Sequence, residues 1–178
     1  MIDLKFIGRS FDQICFVVPD LEKAMDYWRN TNGVQAWSVA NDLAKTQIEK
    51  EYLGRPGNFQ FSCAYGYAGD TLIELARHDG GDSIYRDWVD ERGYGLHHVG
   101  FRLADPADFA RADQHYRDLG LSKAMSALFQ SPVGNCRWAY YDTRSTIGCY
   151  TELYYLDGEF LDINKRMRAG EVVNLTGE

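Results

Sequence analysis

The sequence predicts an α+β protein in which one unit, strand–helix–strand–strand–strand, occurs twice. The stretch FDQICFVVPDLEKAMDYW around Gln13 is matched at one constant offset by LHHVGFRLADPADFARAD around His98. A second matched pair follows the first, since Glu74 lies in DTLIELARH and Glu152 lies in CYTELYYL. Each copy opens with an apolar strand that runs into an Asp and then a helix. The duplication therefore predicts two βαβββ modules of mixed sheet, and if these sheets curl, they surround a central cleft.

The first copy predicts four strands and one helix. β-branched and aromatic residues without helix breakers mark the strands. Asp20, followed by apolar residues at helical spacing, predicts the N-cap of a helix that runs to about Asn30. The polar stretch 41–57, NDLAKTQIEKEYLGRPG, is predicted to be an inserted loop or a short helix. The predicted strands cover residues 11–18, 34–40, 58–67 and 70–77.

The second copy repeats this order after a segment of helical character, SIYRDWVDERG. Asp105 and Pro106 predict the N-cap and the first position of a helix that reaches Leu119. The tail after Leu156 is amphipathic enough to pack on the body of the protein. The predicted strands cover residues 95–103, 121–127, 136–142 and 148–156.

The length of 178 residues suits one domain with a sizeable core, so we expect residues 1–178 to form a single domain. Its expected parts are a first module at 11–78, a connector at 79–94, a second module at 95–156 and a C-terminal tail at 157–178.

The composition predicts a globular protein of the cytoplasm. Apolar residues make up 45% and charged residues 25% of the chain, and the net charge of −7 gives no basic surface for nucleic acid or an anionic membrane. No apolar run approaches the ~20 residues of a spanning helix, and the N-terminus lacks the pattern of a signal peptide. We expect reduced, half-buried thiols at Cys15, Cys63, Cys136 and Cys149, because they lie far apart and form no CxxC arrangement.

Alternation along the strands predicts which polar side chains share a face. In the first strand Ile14 and Phe16 should pack beneath the helix, so Gln13 points the other way. The same parity test places His97 on the helix face. It places four side chains that can bind a metal on the face opposite the helices: Gln13, Glu74, His98 and Glu152.

Each of these four residues also has an ordinary structural explanation. Gln13 could belong to a solvated sheet face, and His98 could be a core histidine with satisfied hydrogen bonds. Glu74 and Glu152 are harder to explain in apolar strands, because an unpaired buried carboxylate is costly. Matched positions in two copies make coincidence a poor explanation, so we interpret the four residues as one metal site.

The motifs DQICFVVPDLEKAMDYW, LIEL, GLHHVGF and YTELYYL resemble those of the vicinal-oxygen-chelate superfamily over residues 11–156. This superfamily includes glyoxalase I, methylmalonyl-CoA epimerase, extradiol dioxygenases and bleomycin-resistance proteins. The resemblance implies a glyoxalase-like fold and one divalent metal ion per chain. We also expect a homodimer. The implied metal ligands are Gln13, Glu74, His98 and Glu152.

The implied ligand set predicts the chemistry. One imidazole, one amide oxygen and two carboxylates suit Zn²⁺, Ni²⁺, Co²⁺, Mn²⁺ or Mg²⁺ and leave room for a substrate that chelates through two neighbouring oxygens. The expected activity is that of an isomerase, epimerase or lyase that removes a proton next to a carbonyl, with the metal as Lewis acid. By the resemblance Glu152 is the candidate catalytic base, and Glu74 could act on the opposite face.

Three departures from the named relatives weaken each specific activity. The glyoxalase I resemblance implies an Arg at the position of Val17 and an Asn at the position of His78, both absent here. The epimerase resemblance implies a carboxylate on the third strand, and residues 58–67 contain no acid. Two alternatives stay open: a non-catalytic protein of the bleomycin-resistance type that sequesters an aromatic ligand and, third, an extradiol-type dioxygenase, for which Gln13 removes one His.

The substrate is expected to be a small molecule with vicinal oxygens. Aromatic residues form 14% of the chain, which leaves open an aromatic substrate as well as plain core packing. Arg102 shares the strand face of His98 and could bind a substrate carboxylate, or it could be a surface charge. The expected pocket residues are Arg102, Tyr150 and Tyr154.

Overall fold

The computed structural model describes residues 4–132 and 134–175, and in it ten strands form one curled half-barrel sheet. The strands are β1 (Phe11–Val17), β2 (Ser38–Ala40), β3 (Gln47–Tyr52), β4 (Arg55–Pro56), β5 (Gln60–Ala68), β6 (Thr71–Gly80), β7 (Gly95–Leu103), β8 (Lys123–Ser131), β9 (Gly134–Tyr141) and β10 (Tyr150–Leu156). The α-helices are α1 (Lys5–Gly8), α2 (Leu21–Asn32), α3 (Ile84–Arg92), α4 (Pro106–Asp118), α5 (Arg144–Ile147) and α6 (Glu159–Arg168). A 3-10 helix covers Leu43–Thr46.

The α+β fold predicted from the duplication is confirmed, and the helix caps show why the two copies resemble each other. The Asp20 carboxylate accepts a hydrogen bond from the Lys23 amide at 3.1 Å and starts α2. Asp105 accepts one from the Asp108 amide at 2.8 Å and starts α4. An aspartate that ends an apolar strand therefore begins a helix in both copies.

The sheet runs in the order β2-β5-β6-β1-β7-β10-β9-β8-β3-β4. The antiparallel pair β1 and β7 lies at its centre, with β6 parallel to β1 on one side and β10 parallel to β7 on the other. Each half thus carries its first and last strand side by side. This brings the strands that hold the four candidate ligands to the middle of the sheet.

The polar stretch 41–57 forms more regular structure than expected. Beyond the short helix, β3 leaves the first half of the chain and pairs with β8 at the far edge of the second half, and β4 then pairs with β3. Backbone pairing to an open edge needs no apolar alternation, so this pairing leaves no local pattern in the sequence. The expected strand at 34–40 is shorter and covers only Ser38–Ala40. Val34 and Trp37, which precede it, pack over Gly66, where a Cβ would lie 2.9 Å from both side chains.

The parity predictions hold for β1, β6 and β10 and fail at one place in β7. Phe16 and Leu75 pack with α2, whereas Cys15 and Val17 lie in the cluster on the opposite, concave face. The expected helix-side position of His97 is wrong. A bulge pairs Cys15 with His98 but Phe16 with Leu96, so His97 joins His98 on the concave side.

The concave face is filled by rings and covered by helices. α3 contributes Tyr85 and Trp88 to the cluster on this face. α6 contacts β5 and β9, which belong to opposite halves of the sheet, and the tail continues until the Val173 amide donates to Ser38 Oγ at 2.8 Å. The tail therefore packs on the body, as predicted. Further rings of the concave cluster belong to Phe59, Phe61, Trp138, Tyr140, Tyr150 and Tyr154.

Among the described helices, none combines the length and apolar character that a membrane crossing needs.

Candidate metal centre

The four predicted ligands converge on one point of the concave face. Gln13 Nε2 lies 2.5 Å from Glu74 Oε2, 3.0 Å from Glu152 Oε2 and 3.0 Å from His98 Nε2. The His98 Nε2 atom is 3.2 Å from Glu74 Oε2 and 3.3 Å from Glu152 Oε2. All four residues are no more than 6% exposed. The duplication thus brings two pairs of side chains from opposite halves into mutual contact.

The polar atoms of the centre are closely spaced, and their chemical types suit a divalent cation. The Gln13 amide group has two hydrogens but three partners within 3.0 Å. Two carboxylate oxygens, one imidazole nitrogen and one amide form the donor set that a divalent cation prefers. Rotation of the Gln13 side chain would turn its amide oxygen inward, since amide orientation is assigned from the hydrogen bonds.

The electrostatics differ between the two carboxylates. For Glu74, burial alone would raise the pKa, but hydrogen bonding and charge attraction to His98 outweigh it and lower the pKa below its ordinary value. For Glu152, burial dominates and raises the pKa, with repulsion from Glu74 adding to it. The pKa of His98 is raised to about 9, because its hydrogen bonds and attraction to Glu152 and Glu74 exceed the opposing effect of burial. The raised pKa of His98 and the lowered pKa of Glu74 both favour an ion pair between these two side chains.

His97 contacts the other side of the His98 ring. The Nδ1 atoms of the two rings are 2.9 Å apart. Burial lowers the pKa of His97 well below its ordinary value, so it stays neutral and accepts the hydrogen bond from His98 Nδ1–H. The His97 ring is fully buried between the rings of Tyr85 and Trp88. His97 thus fixes which nitrogen of His98 faces the centre.

Two thiols, Cys15 and Cys63, also face the site, and both are fully buried where half-buried thiols were expected. Cys15 offers its Sγ to a cluster with Glu74 and His98 in which all ligand atoms lie within 4.8 Å of one another. The Cys63 Sγ donates to Glu74 Oε1 at 3.0 Å. All four cysteines are free. Cys15 lies two residues after Gln13 in the same strand, so strand alternation puts both on one face, and this is the signal that could have identified it.

Arg102 and Tyr154 belong to a second polar cluster on the same face. The Arg102 guanidinium donates to Asn164 Oδ1 of α6 at 2.7 Å and lies 3.5 Å from Asp12 Oδ1. The Tyr154 hydroxyl donates to Asp12 Oδ2 at 2.5 Å. Asn164 in turn donates to the Tyr67 hydroxyl at 2.8 Å. The guanidinium is therefore engaged by the protein's own groups, and Asp12 and Asn164 are participants that strand parity did not identify.

Tyr150, the third expected pocket residue, lies at the side of His97. Its ring centroid is 5.1 Å from that of His97 and 6.1 Å from that of Trp88. The Arg144 guanidinium covers the ring at 4.8 Å. Tyr150 therefore joins the aromatic packing around the centre, apart from Arg102 and Tyr154.

The chain belongs to the glyoxalase/bleomycin resistance protein/dioxygenase superfamily, whose sequence model matches residues 12–140. This confirms the resemblance inferred from the motifs. No curated protein matches the chain significantly in sequence.

Solved structures of the same fold include two methylmalonyl-CoA epimerases. The enzyme from Mycobacterium tuberculosis is 16% identical with a TM-score of 0.57, over 91% of this chain and 97% of that one. A Streptomyces coelicolor variant in complex with 2-nitronate-propionyl-CoA is 19% identical with a TM-score of 0.54, over 82% and 96%. A hypothetical protein from Bacillus halodurans is 14% identical with a TM-score of 0.57, over 82% and 92%. At these identities the likeness establishes the fold alone.

Proposed function

We propose that the protein is a metal-dependent isomerase, epimerase or lyase that removes a proton next to a carbonyl of a small molecule. The observation that carries this proposal is the convergence of Gln13, Glu74, His98 and Glu152 at one buried point. Membership of the superfamily supports it. The matched family includes both enzymes and resistance proteins, so the argument for an enzyme rests on the donor atoms of this centre.

The residues present fit one divalent cation per chain. Two buried carboxylates face a single imidazole, and a cation between them would neutralise charge that is otherwise costly to bury. Gln13, Glu74, His98 and Glu152 would hold it. When bound, such an ion supplies Lewis acidity toward a carbonyl oxygen.

Within this centre the two carboxylates have distinct tasks. Glu152 takes up the proton from the carbon next to the carbonyl and holds it on its carboxylate, in contact with the other groups of the centre. Gly100 lies beneath this carboxylate, where a Cβ would be 3.2 Å from Glu152 Oε2. Glu74 acts on the opposite side, where Cys63 restrains its Oε1. The surrounding rings exclude water from the proton.

Substrate entry requires a change in the covering elements, because the centre is buried. α6 is the element we assign to this movement, since Asn164 bonds to Arg102 of β7 and Tyr67 of β5, one from each half of the sheet. Movement of Asn164 would free the Arg102 guanidinium for a substrate carboxylate or carbonyl oxygen. The pocket would then include Arg102 and Tyr154 next to the metal centre.

We also propose a cytoplasmic location, a division into two modules and a homodimeric assembly. Free cysteines support a cytoplasmic location. Apart from β3 and β4, which lie at the edge beyond β8, the strand order supports a description as modules at 11–78 and 95–156, joined by the connector 79–94 and followed by the tail 157–178. Homodimerisation is retained from the sequence analysis, with sedimentation equilibrium as its test.

The test is solvent deuterium exchange into candidate substrates by metal-loaded protein. A screen of thioesters, hemithioacetals and hydroxyketones should identify a compound whose carbon next to the carbonyl exchanges. Glu152→Gln should abolish the exchange, because an amide accepts no proton at neutral pH. Glu22→Gln, an exposed position of α2, is the matched control and should keep full exchange.

The two alternatives give different outcomes in the same experiment. A sequestering protein would bind an aromatic ligand but exchange no proton, with or without metal. A ring-cleaving dioxygenase would consume oxygen with catechols. The absence of exchange with every compound class, together with tight aromatic binding, would replace the enzymatic proposal with the binding one.

A further inference from the structure

We propose that Cys15 is a sulfur ligand of the centre, so that the site selects a thiophilic divalent ion such as Zn²⁺ or Co²⁺ over Mg²⁺ and Mn²⁺. This inference rests on the proposed function, because it assumes that the centre holds a metal. It assigns a ligand outside the four residues implied by the superfamily resemblance. Cys15 takes the position of Gln13, whose amide nitrogen faces the centre, so four protein ligands still leave two positions for the substrate oxygens. It also narrows the metal, which the oxygen and nitrogen donors alone leave open.

The strand pairing places Cys15 between two ligand-bearing strands. Cys15 pairs laterally with Glu74 of β6 and with His98 of β7, so it is the neighbour of both in the sheet. Its side chain points to the concave face with theirs. The backbone therefore fixes the thiol beside the carboxylate and the imidazole without any loop or flexible element.

The distances fit a shared ion. The Sγ of Cys15, a carboxylate oxygen of Glu74 and a ring nitrogen of His98 all lie within 4.8 Å of one another. Zinc binds sulfur at about 2.3 Å and nitrogen or oxygen at about 2.0 to 2.2 Å, so two of its ligands lie about 3 to 4.5 Å apart. Small rotations of side chains are enough to close this geometry. All three residues are buried, which keeps competing water away.

The duplication argues that the thiol is not required by the fold. Gly100 matches Cys15 in the repeat and pairs with Glu152 as Cys15 pairs with Glu74. One copy thus has a thiol next to its carboxylate, and the other copy has bare backbone. A packing role common to both copies would not produce this difference.

Cys63 provides the internal comparison. Its thiol donates to Glu74 Oε1, whereas Gln13 and His98 contact Glu74 Oε2. Cys63 is as buried as Cys15, but it lies on the outer oxygen of the carboxylate. We therefore expect Cys63 to restrain Glu74 and Cys15 to bind the ion.

The test uses the full chain loaded with Co²⁺ and read by its absorption spectrum. Wild type should show a sulfur-to-cobalt charge-transfer band in the near ultraviolet, because only a thiolate ligand gives one. The band should disappear in Cys15→Ser and persist in Cys63→Ser. Competition with a chelator should show that Cys15→Ser lowers Zn²⁺ affinity by more than about 10-fold, the smallest loss found even for indirect partners of a metal. It should change Mg²⁺ affinity much less.

Each contrary result has its own meaning. Co²⁺ bound by wild type without a charge-transfer band, or a band that survives in Cys15→Ser, would overturn the sulfur ligand and leave the proposed function standing. If wild type binds no divalent ion, both fail. If Cys15→Ser does not fold, Cys63→Ser keeps the test decisive, because loss of the band in that variant would overturn the assignment to Cys15.

Discussion

Replacement of His98 by Gln should strongly destabilise the metal-free protein. The variant keeps a polar side chain of similar reach but removes the one cation between two buried carboxylates, whose oxygens lie 3.2 and 3.3 Å from His98 Nε2. Breaking a buried ion pair by removing one partner costs about 3 to 5 kcal/mol. For a chain of this size about 1 kcal/mol lowers Tm by roughly 2 to 4 °C, so the expected fall is about 6 to 20 °C.

The sign of the pH dependence follows from the pKa of His98. This pKa is raised from 6.5 to about 9 in the folded protein, so the imidazolium contributes its full stability below about pH 6.5. The contribution is lost as the pH rises through 9. Between pH 6.5 and 9.5 the stability of wild type should therefore fall toward that of His98→Gln.

The assay is urea unfolding in the presence of EDTA, followed by circular dichroism. His115→Gln, at a partly exposed position of α4, is the matched control and should change stability by less than about 0.5 kcal/mol. The double variant with Glu152→Gln should recover part of the loss, because it removes the surplus negative charge. A loss below about 1 kcal/mol for His98→Gln, or strictly additive losses in the double variant, would refute the reasoning.

Three further predictions concern metal binding and access. A divalent ion at a free concentration of 100 times its Kd should stabilise wild type by about 2.7 kcal/mol. This corresponds to a rise in Tm of about 5 to 11 °C, measured by differential scanning fluorimetry, and Glu152→Gln should lose most of this rise. His97→Phe should fill the same space but weaken metal affinity by about 10- to 100-fold, because the hydrogen bond that orients His98 is lost; unchanged affinity in a chelator competition would contradict it. Asn164→Ala should release α6 from Arg102 and speed metal removal by EDTA, whereas Asn30→Ala on α2 should not; equal rates would count against α6 as the cover.

The fold was largely predictable because the duplication repeats short-range signals. Apolar alternation marks the strands, and Asp20 and Asp105 mark the helix starts in both copies. Convergence of the four ligands followed from parity, since each lies on a strand at the centre of the sheet. These signals are local in the sequence, and they suffice to predict the elements and the faces of their side chains.

The elements that sequence reading missed depend on long-range geometry. β3 finds its partner on β8, far away in the chain, and no local pattern specifies an edge. The face of His97 depends on a bulge that is set by the register between β1 and β7. The position of Asn164 over Arg102 depends on how α6 packs across both halves of the sheet.

The role of Cys15 was missed for a different reason. A thiol in an apolar strand is usually a small core residue, so its type carried no signal. Its meaning comes from its neighbours, because Glu74 and His98 flank it in the sheet. The sequence shows that Cys15 is a thiol, but it does not show that Glu74 and His98 are its neighbours on the adjacent strands.

The most direct test of the central claim is the metal content of protein purified without chelator. Elemental analysis of wild type and of Glu22→Gln should find about one divalent ion per chain, by the superfamily's stoichiometry. Glu152→Ala and His98→Ala should contain almost none, because each removes a donor at the point where the four side chains meet. Wild type that binds no divalent ion under any loading condition, or variants that retain a full equivalent, would contradict a metal centre at this site.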